Sequence, residues 1–338
     1  MPHTTHRTDA IIIGAGPIGL FAVFQCGMAR IKTHVVEALS VVGGQCAALY
    51  PEKPIYDIPA HPSILAGTLV GQLEAQARAF HPTLHLGQKV VGLERHESNG
   101  LWHVTTDKGI RIMAPVVIIA AGAGAFGPNR PPLEGIEAYE GTSVFYLVHR
   151  REAFRGQRVV IAGGGDSAVD WAISLSELAH VSLVHRRPKF RCAPESAARL
   201  QHLADAGKID LVTPYQLHGL TGDGAQLRSV EVADLDGAVR SLPADILLPF
   251  FGLATELGPI ADWGLDLERH TVKVEQSTSA TNLPGVFAVG DVCAYPGKLK
   301  LILTGFAEAA QAAHAAHAYV YPGEVLHFEH STTTGVPA

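Results

Sequence analysis

Little in this chain suits an oxidising or membrane setting. Its 338 residues hold four cysteines, Cys26, Cys46, Cys192 and Cys293. They are scattered, none forms a C-x-x-C pair, and their spacing draws no disulfide framework. The longest apolar run, Ala114 to Ala125, is too short and too glycine-broken to span a bilayer. Met1 to Thr8 is polar and lacks the apolar stretch of a secretory signal. Positive charge is scarce as well. Lys and Arg number 26 against 32 Asp and Glu, a formal net of −6, which argues against a general nucleic-acid binder. His314 and His317 stand one helical turn apart without further ligands, so no metal site is expected. A cytoplasmic protein with neither a membrane nor a nucleic-acid partner fits these absences.

Glycine, by contrast, is plentiful at 35 residues, as a chain rich in βαβ turns requires. Ile11-Ile12-Ile13 is a β-branched run suited to a strand buried on both faces. It runs into Gly14-Ala15-Gly16-Pro17-Ile18-Gly19, then a helical stretch from Leu20 to about Met28, then Thr33 to Val36 ending on Glu37. That is a βαβ unit with a dinucleotide fingerprint. Gly14 allows the tight turn, Gly16 lets backbone amides approach a pyrophosphate at the helix's positive end, and Gly19 lets helix and strand pack closely. Pro17 belongs to the same turn. Glu37 stands where a carboxylate can hold adenosine ribose hydroxyls. A bare glycine turn with no ligand is the plainer alternative; the flanking strand, helix and acid weigh against it.

A second fingerprint follows Arg158-Val159-Val160-Ile161-Ala162. Gly163-Gly164-Gly165-Asp166-Ser167-Ala168 opens a helix to about Leu178, and Val181 to Val184 is the next strand. Where an NAD site would carry an acid, this one has His185-Arg186-Arg187. An acid there repels a 2′-phosphate, whereas paired arginines bind one with charge-assisted bonds. The second site is therefore read as one for NADP, against the alternative of a solvated basic strand end.

Further candidates lie along the chain. Gly43-Gly44 lets backbone press against a flat ring or phosphate, and Gln45 offers both donor and acceptor. Tyr50 to Pro59 is a proline-stiffened loop holding Tyr50, Tyr56 and Asp57. A tyrosine there can stack on an aromatic cofactor. Gly285 to Asp291 is a buried strand that delivers Asp291 at its carboxyl end. Thr304 precedes an alanine-rich helix, Gly305 to Tyr319. The glycine and proline cluster from Gly122 to Pro132 is a natural domain boundary.

Two fingerprints in series with V-F-A-V-G-D late in the chain resemble the two-dinucleotide-binding-domain flavoproteins. The size and the Gly163 to Arg187 stretch look closest to low-molecular-weight thioredoxin reductase, but Val144 to Phe154, where that enzyme carries C-x-x-C, has no cysteine. The chain is similar along nearly its whole length to the thioredoxin-reductase-like (type 2) ferredoxin–NADP⁺ reductases. The matches are Gly43-Gly44-Gln45, Leu49 to Lys53, Gly163 to Ala168, His185-Arg186-Arg187, Lys300 to Phe306 and His330-Ser331-Thr332. The resemblance implies FAD contacts at Glu37, Gln45, Tyr50, Val90, Phe126, Asp291 and Thr332. It also implies that Tyr50 stacks on one flavin face and that His330, from the dimer partner's tail, covers the other. Tyrosine or phenylalanine is more usual than histidine there.

The expected fold is α/β with two Rossmann-like domains in a thioredoxin-reductase-like architecture. The FAD domain is expected at 1–124 and 252–338, and the NADPH domain at 125–251. The implied activity is hydride exchange between NADP(H) and FAD coupled to one-electron exchange with ferredoxin or flavodoxin, in a homodimer. No side-chain acid or base is nominated. Alternatives are another dithiol-free NADPH diaphorase or quinone reductase, a disulfide reductase relying on Cys46, or a non-enzymatic NADP(H)-binding flavoprotein. For an acidic partner such as ferredoxin, the candidate docking patches are Lys298 with Lys300 and, less favoured, the arginines between His149 and Arg158.

Overall fold

In the computed structural model, which describes residues 5–96, 99–148, 150–326 and 335, the Ile11 run forms β1 (Ala10–Ile13). Then come α1 (Pro17–Met28) and β2 (Thr33–Glu37). All four residues of β1 are buried. Ala10 and Ile12 join the core under the helices, while Ile11 and Ile13 join a second core with Trp102, Val104 and Ile112. Burial on both faces explains why the run is continuous and not alternating. Each such isoleucine is worth roughly 1.5–3 kcal/mol. Next come α2 (Ala66–Arg78), β3 (Thr83–Leu86), β4 (Val90–Arg95) and β5 (Val116–Ile119). Leu69, Val70, Leu73 and Ala77 recur at helical spacing as the buried face of α2.

The chain divides into two compact units, Met1–Phe126 with Thr255–Ala338, and Gly127–Ala254. The second holds β6 (Arg158–Ala162), α3 (Asp166–Leu175), β7 (His180–Val184), α4 (Pro194–Asp205), β8 (Ile209–Val212) and β9 (Ile246–Pro249). These strands make an all-parallel sheet in the order β8-β7-β6-β9. Val159 and Ile161 face a core shared with α3. Val160 and Ala162 face a core shared with a three-stranded antiparallel sheet, Gln216–Asp223, Gln226–Ala233 and Val239–Pro243. The sequence carries only a weak apolar signal over Gln216–Asp223 and Val239–Pro243, since the first strand has no buried residue and the second only Leu242. The signal over α4 is equally weak, with Leu200 its one fully buried residue.

The return segment completes the first unit with β10 (Val286–Ala288) and α5 (Ile302–Val320). The first sheet is all parallel, in the order β10-β5-β1-β2-β3. Helix α5 starts at Ile302, earlier than the expected Gly305. A glycine inside a helix costs about 1 kcal/mol. Packing requires it here, since a β-carbon at 305 would lie 2.3 Å from Ile18 Cγ1. No helix among the described residues is long and apolar enough to cross a membrane. Both glycine turns follow the carboxyl end of a central strand, where open α/β sheets bind ligands.

Candidate functional site

In the first unit a cleft of about 470 Å³ opens beyond the end of β1. Gly14 turns the chain there with φ +105°, and a β-carbon would stand 2.5 Å from the Ala120 carbonyl oxygen. Gly19 has no room either, since a β-carbon would meet the Gly14 oxygen at 2.0 Å. Its role is packing, and it does not line the cleft. Gly16 faces Gly44, where a β-carbon would approach the Gly16 Cα to 3.1 Å, so the two glycines keep a backbone cradle open. No side chain caps α1 at Gly16, which leaves its first amides for an anion.

Glu37 is 7% exposed and lines the same cleft. Its Oε2 accepts from Ala15 N–H at 2.7 Å and its Oε1 from Leu39 N–H at 2.9 Å, so the acid also ties the glycine turn to the end of β2. Pro17, Gly44, Gln45, Tyr50, Val90 and Asp291 line the cleft as well. Cys46 lies beside Tyr50, and burial pushes its thiol up to about 11. Burial also raises the Tyr50 phenol. A wall of carboxylates, free backbone amides and a flanking tyrosine fits an adenine dinucleotide carrying a flat ring, which is FAD.

Not every nominated residue reaches this cleft. Asp57 is exposed in the Tyr50 to Pro59 loop, and neither it nor Thr304 lines the wall. Thr304 sits within the first turn of α5 because that helix begins at Ile302. The side chain of Phe126 lies outside those described, and His330 and Thr332 lie outside the described residues. Trp263, Ile260 and Lys89 line the cleft without having been nominated. Trp263 and Ile260 come from a segment, Gly258–Asp262 and beyond, with no glycine signature to mark it.

The second unit has its own cleft, of about 680 Å³, lined by Gly163, Gly164, Gly165, His185, Arg186 and Arg187. Gly163 has φ +155°, with room for no β-carbon beside the Phe250 oxygen. Arg186 and Arg187 are exposed and make no ion pair among the described residues. Burial, then the charges of Arg186, Arg187 and Arg191, holds His185 below the ordinary imidazole range, so it is a neutral wall beside a cationic patch. Asp166 and Ser167 do not line this cleft. Asp166 turns away and accepts Ala193 N–H at 3.0 Å, which removes a negative charge from a phosphate's path. Arg191 and Tyr215 were not nominated yet line it; the R-R-x-x-x-R spacing is the signal that points to Arg191. The unpaired cations and the glycine cradle fit NADP(H).

The favoured docking patch does not survive. The Lys298 side chain is 6% exposed and ion-paired with Glu308, whose side chain is 2% exposed, so its ammonium cannot meet a partner. Lys300 is exposed at the rim of the first cleft. In the arginine stretch, Arg155 pairs with Glu152 at 2.6 Å, Arg158 with Asp245 at 2.5 Å and Arg151 with Glu177 at 3.3 Å. Glu177 and Asp245 come from elsewhere in the fold and, with Glu152, cancel much of that charge.

Residues 8–318 match the pyridine nucleotide-disulphide oxidoreductase family. The chain belongs to this family. Among relatives in this oxidoreductase family, the ferredoxin–NADP reductase of Paramagnetospirillum magneticum is 64% identical over 98% of both chains. The ferredoxin–NADP reductase of Rhodospirillum rubrum is 65% identical, covering 99% of this chain and 98% of its own. The thioredoxin reductase of Lactococcus lactis superposes with a TM-score of 0.78 at 26% identity, over 93% of this chain and 99% of that one. The expected thioredoxin-reductase-like, two-Rossmann fold is therefore the observed one, and the resemblance to the ferredoxin–NADP⁺ reductases agrees with the relatives.

Proposed function

We propose that the protein is a ferredoxin–NADP⁺ reductase, with FAD in the first cleft, NADP(H) in the second, and ferredoxin or flavodoxin as its one-electron partner. The observation that carries this reading is a charge contrast between two similar glycine cradles. Glu37 stands beside the first, while Arg186 and Arg187 stand unpaired beside the second. An acid suits a ribose with free hydroxyls and paired arginines suit a 2′-phosphate, so the two clefts take different dinucleotides. Relatives at 64% and 65% identity bearing the ferredoxin–NADP reductase name support the assignment.

FAD, when bound, supplies a ring that accepts two electrons as hydride and passes them on one at a time. The chain's own residues bind, orient and exclude. Gly16 and Gly44 leave space for phosphate, and Glu37 orients the ribose end. Tyr50 and Gln45 flank the ring end. The Cys46 thiol, pushed up to about 11, stays protonated near neutral pH and serves as packing. No side chain needs to move a proton. A cytoplasmic homodimer is the setting supported by the family resemblance, which also implies FAD contact at Thr332 and a flavin-covering ring at His330, both outside the described residues.

The purified protein should be yellow, with one FAD per chain, and NADPH should bleach it under argon. A coloured protein that NADPH leaves unbleached would point to a non-enzymatic binder instead.

A further inference from the structure

Behind the first cleft lies an ionic cluster that none of the roles above uses. Glu308, in the second turn of α5, is 2% exposed. Its Oε2 accepts Gly290 N–H at 2.7 Å. Its Oε1 accepts Tyr295 O–H at 2.7 Å and is ion-paired with Lys298. The Cys293 thiol lies 3.5 Å from Oε2, and burial pushes it up to about 12. Gly290 N–H, Tyr295 O–H and Lys298 are thus donors aimed at one carboxylate, while the nearer acceptor of the Cys293 thiol is the Gly290 carbonyl oxygen at 3.2 Å.

The bond to Gly290 matters most. Gly290 sits at φ +79°, a left-handed turn whose next residue is Asp291. Asp291 lines the cleft, and its carboxylate accepts no hydrogen bond among the described residues. Its position is set by the turn that carries it, and Glu308 holds that turn. On the other side of the cluster, Lys298 anchors the segment that brings Lys300 and Ile302 to the same cleft.

A buried ion pair is a weak source of stability, and apolar replacement of such pairs is often neutral. Its retention here calls for another reason. We infer that Glu308 is a positioning residue for the FAD site: through the Gly290 amide it fixes the turn that presents Asp291, and Lys298 and Tyr295 hold its carboxylate in place. This rests on the reading of the first cleft as the FAD site.

The test compares FAD binding to apoprotein, followed by flavin fluorescence and by the visible spectrum of bound flavin. Glu308→Asp keeps the charge but draws the carboxylate back by one methylene, out of reach of Gly290 N–H. It should bind FAD at least tenfold more weakly, with a shifted visible band. Glu308→Gln with Lys298→Met loses both charges but keeps an acceptor at the same place. It should stay within threefold of the parent. Should Glu308→Asp fail to fold, Glu308→Met with Lys298→Met, which removes the acceptor and both charges, carries the same tenfold expectation. Acceptor-lacking variants that bind FAD within threefold of the parent would overturn the inference, as would equal losses in the acceptor-lacking and acceptor-keeping variants. A wild-type apoprotein that takes up no FAD would instead refute the cleft assignment on which it rests.

Discussion

The imidazole of His185 lies against the bare Cα of Gly164, so that a β-carbon there would stand 2.1 Å from its Cε1. The middle glycine of the second fingerprint thus makes room for a protein ring as well as for a ligand. Gly164→Ala must push His185 out of the cleft wall. NADPH affinity should fall at least tenfold while FAD content stays at one per chain, as equilibrium titration and absorbance would report. Unchanged NADPH affinity would mean that the ring has room to move.

Arg186 and Arg187 should read the 2′-phosphate. A charge-assisted hydrogen bond is worth about 1.5–3 kcal/mol. Arg186→Ala should therefore weaken NADPH roughly ten- to a hundredfold and leave NADH nearly unaffected. Equal losses for both cofactors would make the arginine structural.

Much of this was legible in the sequence because it lives in local backbone demands. Gly14, Gly16 and Gly163 sit in tight local turns, and Glu37 and Arg186 each follow 23 residues after the first glycine of their own βαβ unit, so period and turn chemistry reveal them. What depends on distant partners was hidden. Lys298 reads as a surface charge until α5 brings Glu308 over it, and Arg158 as a free cation until Asp245 meets it across the sheet. Asp166 stands in the fingerprint yet faces Ala193, 27 residues on. Trp263 comes to the first cleft from a segment with no motif at all.

The first unit carries a pH-sensitive histidine cluster. His34 Nδ1 and His85 Nε2 lie 3.0 Å apart, and the His6 ring is 5.6 Å and 5.3 Å from theirs. Burial, then the charges of His85 and His6, lowers His34 to about 4, and burial then His6 lowers His85. Both bind protons less readily in the folded protein than in the unfolded chain, which binds them below about 6.5. Their contribution is present above that pH and is lost as pH falls from 6.5 towards 4. Denaturant melts should show stability dropping across this window, and His34→Phe should flatten part of the drop. An unaltered pH profile in that variant would exclude His34 as the source.

Lys298 and Lys300, two residues apart, should respond differently to substitution. Lys300→Glu should raise the ferredoxin KM and reduce its dependence on salt, since an exposed charge acts by steering. Lys298→Met should instead leave Glu308 buried and uncompensated, at a cost of about 3–5 kcal/mol, read as a lower denaturation midpoint. A surface-like response at Lys298, with KM altered and stability intact, would contradict its burial.

Cytochrome c reduction by NADPH, measured with and without ferredoxin, decides whether the protein hands its electrons to ferredoxin. A ferredoxin–NADP⁺ reductase should turn over slowly alone and be greatly accelerated by ferredoxin, and the acceleration should survive Cys46→Ser. A rate indifferent to ferredoxin, or turnover that requires thioredoxin and is lost with Cys46, would contradict it.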